Sequence, residues 1–138
     1  MKSFLSKYLP FLKPESLSEN LELNENHSSG SGSFKLMYKN LVIGNLLFED
    51  GKWSFFYTIE FKSQSHLKTI SDFPDLEKNY QEEELWPFFA SRIPSKNQPM
   101  VLEAISKKLI NSFDDLTMLE KFGKKTIANP FVLEYAGN

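Results

Sequence analysis

Few side chains in this sequence could carry acid–base, nucleophilic or metal chemistry. There are two histidines, His27 and His66, and no cysteine. His27 lies in a Ser/Asn-rich stretch and His66 in a polar one, so each reads as a solvated surface side chain rather than a ligand or base. Without cysteine there can be no disulfide, no thiolate nucleophile and no cysteine zinc site. That usage fits a reducing, cytoplasmic setting. Serine is plentiful, but none stands in a Gly-x-Ser-x-Gly elbow. The six glycines are scattered, with no phosphate-cradling loop and no dinucleotide fingerprint. Two groups of carboxylates remain. Asp114-Asp115 reads as helix capping. Glu82-Glu83-Glu84 could meet a cation or a basic partner, or could open a solvated helix. No catalytic residue, metal site or cofactor follows from these residues, and the chain is expected not to be an enzyme.

The most concentrated signal is apolar. Leu85-Trp86-Pro87-Phe88-Phe89-Ala90-Ser91-Arg92-Ile93-Pro94 puts three large aromatic rings within four residues. On one helix Phe88 and Phe89 point about 100° apart, so the three rings cannot share a face. Two readings stay open: all three belong to the core, or at least one faces outward. An exposed Trp beside a charged residue has the composition of a binding hot spot. On that reading Trp86 is the central anchor, Phe88, Phe89 and Ile93 support it, and Arg92 sits at its edge.

These residues need a scaffold, and the chain is long enough for one. Its 138 residues suit a single domain, and 41% apolar with 25% charged residues is ordinary for a globular protein. The net charge of −2 does not support direct nucleic-acid binding, which needs a basic stripe against phosphates. Lys107-Lys108 and Lys121 to Lys125 are local and surrounded by acidic residues. No apolar run approaches the length of a membrane span. The N-terminal stretch is broken by Lys7 and Pro10 and followed by no small-residue cleavage site, so it is not expected to be a signal peptide.

Residues 1–33 read as a flexible N-terminal segment and linker, and 34–138 as the folded domain. Ser28-Ser29-Gly30-Ser31-Gly32-Ser33 is a linker by composition. Phe4, Leu5, Tyr8, Leu9 and Leu12 lie at helical spacing, but a helix this short is marginal on its own. A meander follows. Phe34 to Tyr38, Leu41 to Phe48 and Trp53 to Phe61 alternate as strands. Lys39-Asn40 makes the first turn, with asparagine taking the positive φ. Asp50-Gly51 makes a type I′ hairpin, which sets Glu49 opposite Lys52, Phe48 opposite Trp53, Leu46 opposite Phe55 and Gly44 opposite Tyr57. A polar loop then runs to an extended piece ending at Phe73-Pro74. The aromatic segment reads as a short helix starting near Leu85, and Pro87 is tolerated only in its first turn. A second helix follows Pro99, with Val101, Leu102, Ile105, Leu109 and Ile110 on one stripe. A third begins at Ser112 with a capping box to Asp115. It buries Phe113, Leu116, Leu119 and Phe122, and Gly123 closes it. Thr126 to Tyr135 reads as a last extended segment at the sheet edge. The fold class is α+β: a small antiparallel sheet, open or partly closed as a barrel, packed with two to three short helices.

Four blocks of this pattern resemble the N-terminal subdomain of HipA-type toxin kinases: Val42-Ile43-Gly44-Asn45-Leu46, the hairpin from Glu49 to Tyr57, Trp86-Pro87-Phe88-Phe89 with Arg92-Ile93-Pro94, and Leu119 to Lys124. After the Phe-Phe pair the family usually has Leu-Pro-Glu-Gly, where this chain has Ile93-Pro94-Ser95-Lys96. The sequence contains no kinase phosphate loop, catalytic Asp loop or metal-binding Asp-Phe-Gly equivalent. The chain therefore looks like HipS, the free-standing version of the subdomain in tripartite HipBST toxin–antitoxin systems. The resemblance implies an antitoxin that binds and inhibits a separate HipT-like Ser/Thr kinase toxin. A HipB-like DNA-binding protein would be a further member of a ternary complex. The alternative is a non-inhibitory scaffolding module that assembles such a complex.

Overall fold

The computed structural model describes residues 30–64 and 66–137. The helical spacing from Phe4 to Leu12, most of the Ser/Gly linker and His27 lie outside these residues. The described part is an open, five-stranded antiparallel sheet with four short helices. The strands are β1 (Gly32–Tyr38), β2 (Leu41–Glu49), β3 (Lys52–Tyr57), β4 (Tyr80–Glu82) and β5 (Val132–Gly137), in the order β4-β3-β2-β1-β5. The helices are α1 (Ile59–Lys62), α2 (Pro87–Ala90), α3 (Pro99–Ser106) and α4 (Asp115–Phe122).

The hairpin has the register its sequence demands. Glu49 pairs with Lys52, Phe48 with Trp53, Leu46 with Phe55 and Gly44 with Tyr57. Asp50 and Gly51 take φ of 53° and 75°, the left-handed pair of a type I′ turn. At the first turn Lys39, not Asn40, carries the positive φ, at 55°. The β1–β2 register passes from Leu36–Gly44 to Met37–Val42, which leaves Ile43 as the extra residue of a bulge. The bulge lets neighbouring Ile43 and Gly44 both be buried. Thr58 binds the chain there: its N–H donates to the Ile43 carbonyl at 2.9 Å and its hydroxyl donates to the Val42 carbonyl at 2.5 Å.

Thr58 also ends the third strand earlier than its alternation suggests. Its Oγ1 accepts from Phe61 N, capping α1 over residues first read as strand. Phe61 turns into the core and Ile59 is left 79% exposed. Beyond the loop, β4 pairs with β3, Trp53 opposite Glu82 and Phe55 opposite Tyr80. The acidic run is thus a strand end and a bend, not the start of a helix. Helix α3 stops at Ser106, because Lys108 turns left-handed at φ 59°. Leu109 consequently falls off the apolar stripe and is exposed, while Ile110 is buried. The cap of α4 is Asp114, whose carboxylate accepts from Thr117 N at 3.0 Å. Ser112 Oγ instead accepts from Asp114 N. Gly123 closes α4 at φ −89°, so it is not left-handed. Space is what demands glycine there: a Cβ would lie 2.5 Å from Leu119 Cδ1 and 2.6 Å from the Leu119 carbonyl oxygen.

The larger core lies where β1, β2, β3 and β5 meet the loops and α2. It holds Phe34, Leu36, Leu46, Trp53, Phe55, Tyr57, Phe73, Phe89, Leu119 and Leu133. Phe55 sits at its centre, stacked on Phe73 at 4.2 Å and tilted against Phe89 at 5.7 Å. Each such pair adds about 0.5–1.5 kcal/mol beyond the area it buries. A smaller core gathers α3, Ile110, Phe113 and Met118. Ile93 packs against both.

Candidate partner-binding surface

The aromatic segment is a single helical turn, shorter than its composition suggests. Trp86 precedes a proline, and a residue in that place is pushed out of the helical region. It is extended, at ψ 149°, and serves as the backbone N-cap. Pro87 takes the first helical position, where its missing N–H costs nothing. The Trp86 carbonyl then accepts from the N–H groups of Phe89 and Ala90.

One free donor of this turn is satisfied from far along the chain. Phe88 N donates to Asp72 Oδ2 at 3.0 Å. Asp72 is placed by the Ile70–Phe73 bridge, and that bridge is pinned by Tyr57. The Tyr57 hydroxyl accepts from Ile70 N at 2.9 Å and donates to the Phe73 carbonyl at 2.6 Å. Burial pushes this phenol up to about 12. Tyr57 on β3 thus fixes the loop that fixes α2.

The five residues singled out in the sequence occupy three kinds of place. Phe89 is wholly buried. Trp86 and Phe88 are half-buried. Trp86 lies edge-on to Phe73 at 5.0 Å, and Phe88 packs against Phe89 at 5.0 Å and Phe131 at 5.9 Å. Ile93 is half-buried between the two cores. Arg92 is not at an edge: it is 4% exposed. Its Nη1 donates to the carbonyls of Gly123 and Lys124 at 3.2 Å. Its Nη2 donates to Asn129 Oδ1 and the Phe131 carbonyl at 3.0 Å. Its guanidinium carbon lies 5.6 Å from the Phe88 ring centre. Burial lowers its pKa to about 10.

The consequence is a surface with a fixed backbone. Arg92 gathers the loop from Gly123 to Phe131 against α2, and an open groove of about 570 Å³ lies between them. Phe88, Pro87, Ser91, Asn129 and Phe131 line it, with Ser71 and Asp72 at one side. The loop holds Ile127 fully exposed. The sequence reading placed Ile127 in the final extended segment, but β5 begins only at Val132. Exposed Ile127 has no sequence signal, because its placement depends on the carbonyls that Arg92 binds.

The groups in this surface suit contact rather than proton transfer. Asp72 is occupied by a backbone N–H, and Arg92 by four neutral oxygens. His66 is exposed on the loop after α1. Among the described residues no three His, Asp or Glu side chains gather to hold a metal ion. None of the helices described is long and apolar enough to cross a membrane.

No curated protein matches the chain. A family model described as the HipA N-terminal domain matches residues 34–128, from the first core residue of β1 into the loop that Arg92 secures, ending just before Asn129. That match takes in the meander, the aromatic turn, the smaller core and all of the larger one but β5's Leu133, more than half of the sequence, and the chain belongs to the HipA N-terminal domain family.

Proposed function

We propose that this protein is a cytoplasmic antitoxin that binds a HipT-type Ser/Thr kinase toxin and inhibits it through protein–protein contact. Membership of the HipA N-terminal domain family gives it a toxin–antitoxin-related role, in a domain that contributes no catalytic groups of its own. Suppression by such a domain must come from occupying a surface or favouring one conformation of its partner. A HipB-like DNA-binding protein would complete a ternary complex.

The observation that carries the proposal is Trp86, partly buried against the core and partly open to solvent, on a turn whose backbone is fixed by Asp72, Phe89 and Arg92. A large ring on a pre-ordered backbone loses little entropy on binding, so more of its burial appears as affinity. Trp86 and Phe88 are the contact residues in this reading. Phe89, Arg92 and Ile93 support them from within. Autophosphorylation of the co-expressed kinase is the test. It should fall when this chain is present. A complex that forms while autophosphorylation continues unchanged would identify a scaffold instead, and no complex at all would overturn both readings.

A further inference from the structure

The loop that Arg92 secures differs in charge from the chain as a whole. From Lys121 to Phe131 there are three lysines, Lys121, Lys124 and Lys125, and no acidic residue, in a chain of net charge −2. All three lysines are exposed, and among the described residues none of them pairs with a carboxylate. Lys68 lines the adjoining groove. Asp72, the one carboxylate lining that groove, is taken up by Phe88 N. The patch therefore sets positive charge beside one apolar side chain, Ile127.

Ile127 is held outward by the backbone on both sides of it. Arg92 binds the Gly123 and Lys124 carbonyls before it, and Asn129 Oδ1 and the Phe131 carbonyl after it. The Lys124 carbonyl also accepts from Leu133 N at 2.8 Å, and Thr126 Oγ1 accepts from Ala128 N at 3.2 Å. Asn129 Oδ1 accepts from Phe131 N at 3.1 Å. The loop cannot fold its isoleucine back without giving up such bonds. A β-branched side chain has few rotamers to lose, so a partner that covers it spends little on ordering. A single exposed isoleucine is ordinary on a surface. The pinned backbone around this one and the unpaired lysines beside it are what point to a partner.

We propose that Ile127 enters an apolar pocket on the partner kinase, and that carboxylates on the rim of that pocket meet Lys124 and Lys125. The inference rests on the kinase reading, because Ala128 and Phe131 line the same groove as Phe88 and a partner seated over Phe88 reaches this loop. The isoleucine gives apolar contact, and the lysines steer the encounter. A nucleic-acid backbone would engage the lysines but offer Ile127 nothing.

The test measures Kd and association rate for the full chain with its HipT-type kinase, at low and high salt. Ile127→Ser should weaken binding about tenfold. Lys124→Glu/Lys125→Glu should slow association about tenfold at low salt, an effect that shrinks as salt screens the charges. Urea midpoints should match wild type, since the Ile127 side chain is fully exposed and the two lysines are exposed. If Trp86→Ala weakens binding while the Ile127 and lysine variants bind as wild type does, the kinase reading stands and this inference falls. If the wild-type chain binds no kinase, both fall. A slowed lysine variant with Ile127→Ser unchanged would leave a charged contact without a pocket and overturn the proposal. Self-association of the wild-type chain that Ile127→Ser abolishes would assign the loop to a second copy and overturn it. A lowered urea midpoint in Ile127→Ser would give the side chain a role within the fold and overturn it as well.

Discussion

Arg92 Nη2 donates to the Phe131 carbonyl at 3.0 Å, joining the turn after α2 to the residue that leads into β5. The same guanidinium holds Gly123, Lys124 and Asn129, while its Nε is buried without a partner. One side chain thus organises a nine-residue arc from Gly123 to Phe131 through backbone carbonyls and one amide. The aromatic turn and the last strand keep their relative positions through it.

Replacing Arg92 with Met should leave the Gly123 and Phe131 carbonyls without their guanidinium donor, while the Lys124 carbonyl keeps Leu133 N and Asn129 Oδ1 keeps Phe131 N. The expected cost is about 3 kcal/mol or more, read as a lower urea midpoint at unchanged slope. Arg92→Lys should recover little of it, because a single ammonium cannot span the acceptors that two guanidinium nitrogens reach.

Tyr57→Phe removes a hydroxyl that both donates and accepts in the core. The loss should be about 1–3 kcal/mol at neutral pH, since Ile70 N and the Phe73 carbonyl lose a buried partner. It also carries a pH signature. The folded phenol titrates at about 12 against an ordinary 10.0, so between those values the unfolded chain releases a proton the folded chain keeps. Wild-type stability conferred by Tyr57 is full below pH 10 and declines as pH rises towards 12. Arg92, lowered to about 10, acts in the opposite sense in that window. The difference between wild type and Tyr57→Phe cancels its contribution, and denaturation across the window should show that difference shrinking.

Gly44→Ala should be poorly tolerated although the backbone there is ordinary. The added Cβ would lie 2.5 Å from Phe55 Cζ and 2.9 Å from the Phe56 carbonyl oxygen. Phe55 is stacked on Phe73 and cannot move away freely. A loss of about 1–3 kcal/mol is expected for this overpacking, measurable by thermal unfolding.

The parts of the fold written locally could be read from the sequence. Asp50-Gly51 and the alternation around it specify the hairpin register residue by residue, because turn type and the period of two act together. The pairing of β4 could not be read this way. Tyr80-Gln81-Glu82 has one apolar residue, and its strand character comes from the exposed edge of β3. Helix α1 was hidden because Ile59 and Phe61 continue an apolar alternation that Thr58 interrupts only by capping. The segment 85–94 stood out by composition, yet the division of labour within it did not. Phe89 faces inward and Trp86 partly outward because Pro87 fixes where the turn starts. Arg92 looked like an edge residue because its acceptors lie 31 to 39 positions away.

The central claim is that Trp86 makes contact with a kinase toxin and that this contact suppresses it. The most direct measurement is the affinity of the full chain for its HipT-type kinase, wild type against Trp86→Ala, with each chain's unfolding recorded alongside. The account predicts a folded variant whose binding is weaker by about 2 kcal/mol, roughly thirtyfold in Kd, with kinase autophosphorylation restored to match. Equal affinity for the two chains, or a Trp86→Ala chain that no longer folds, would contradict it.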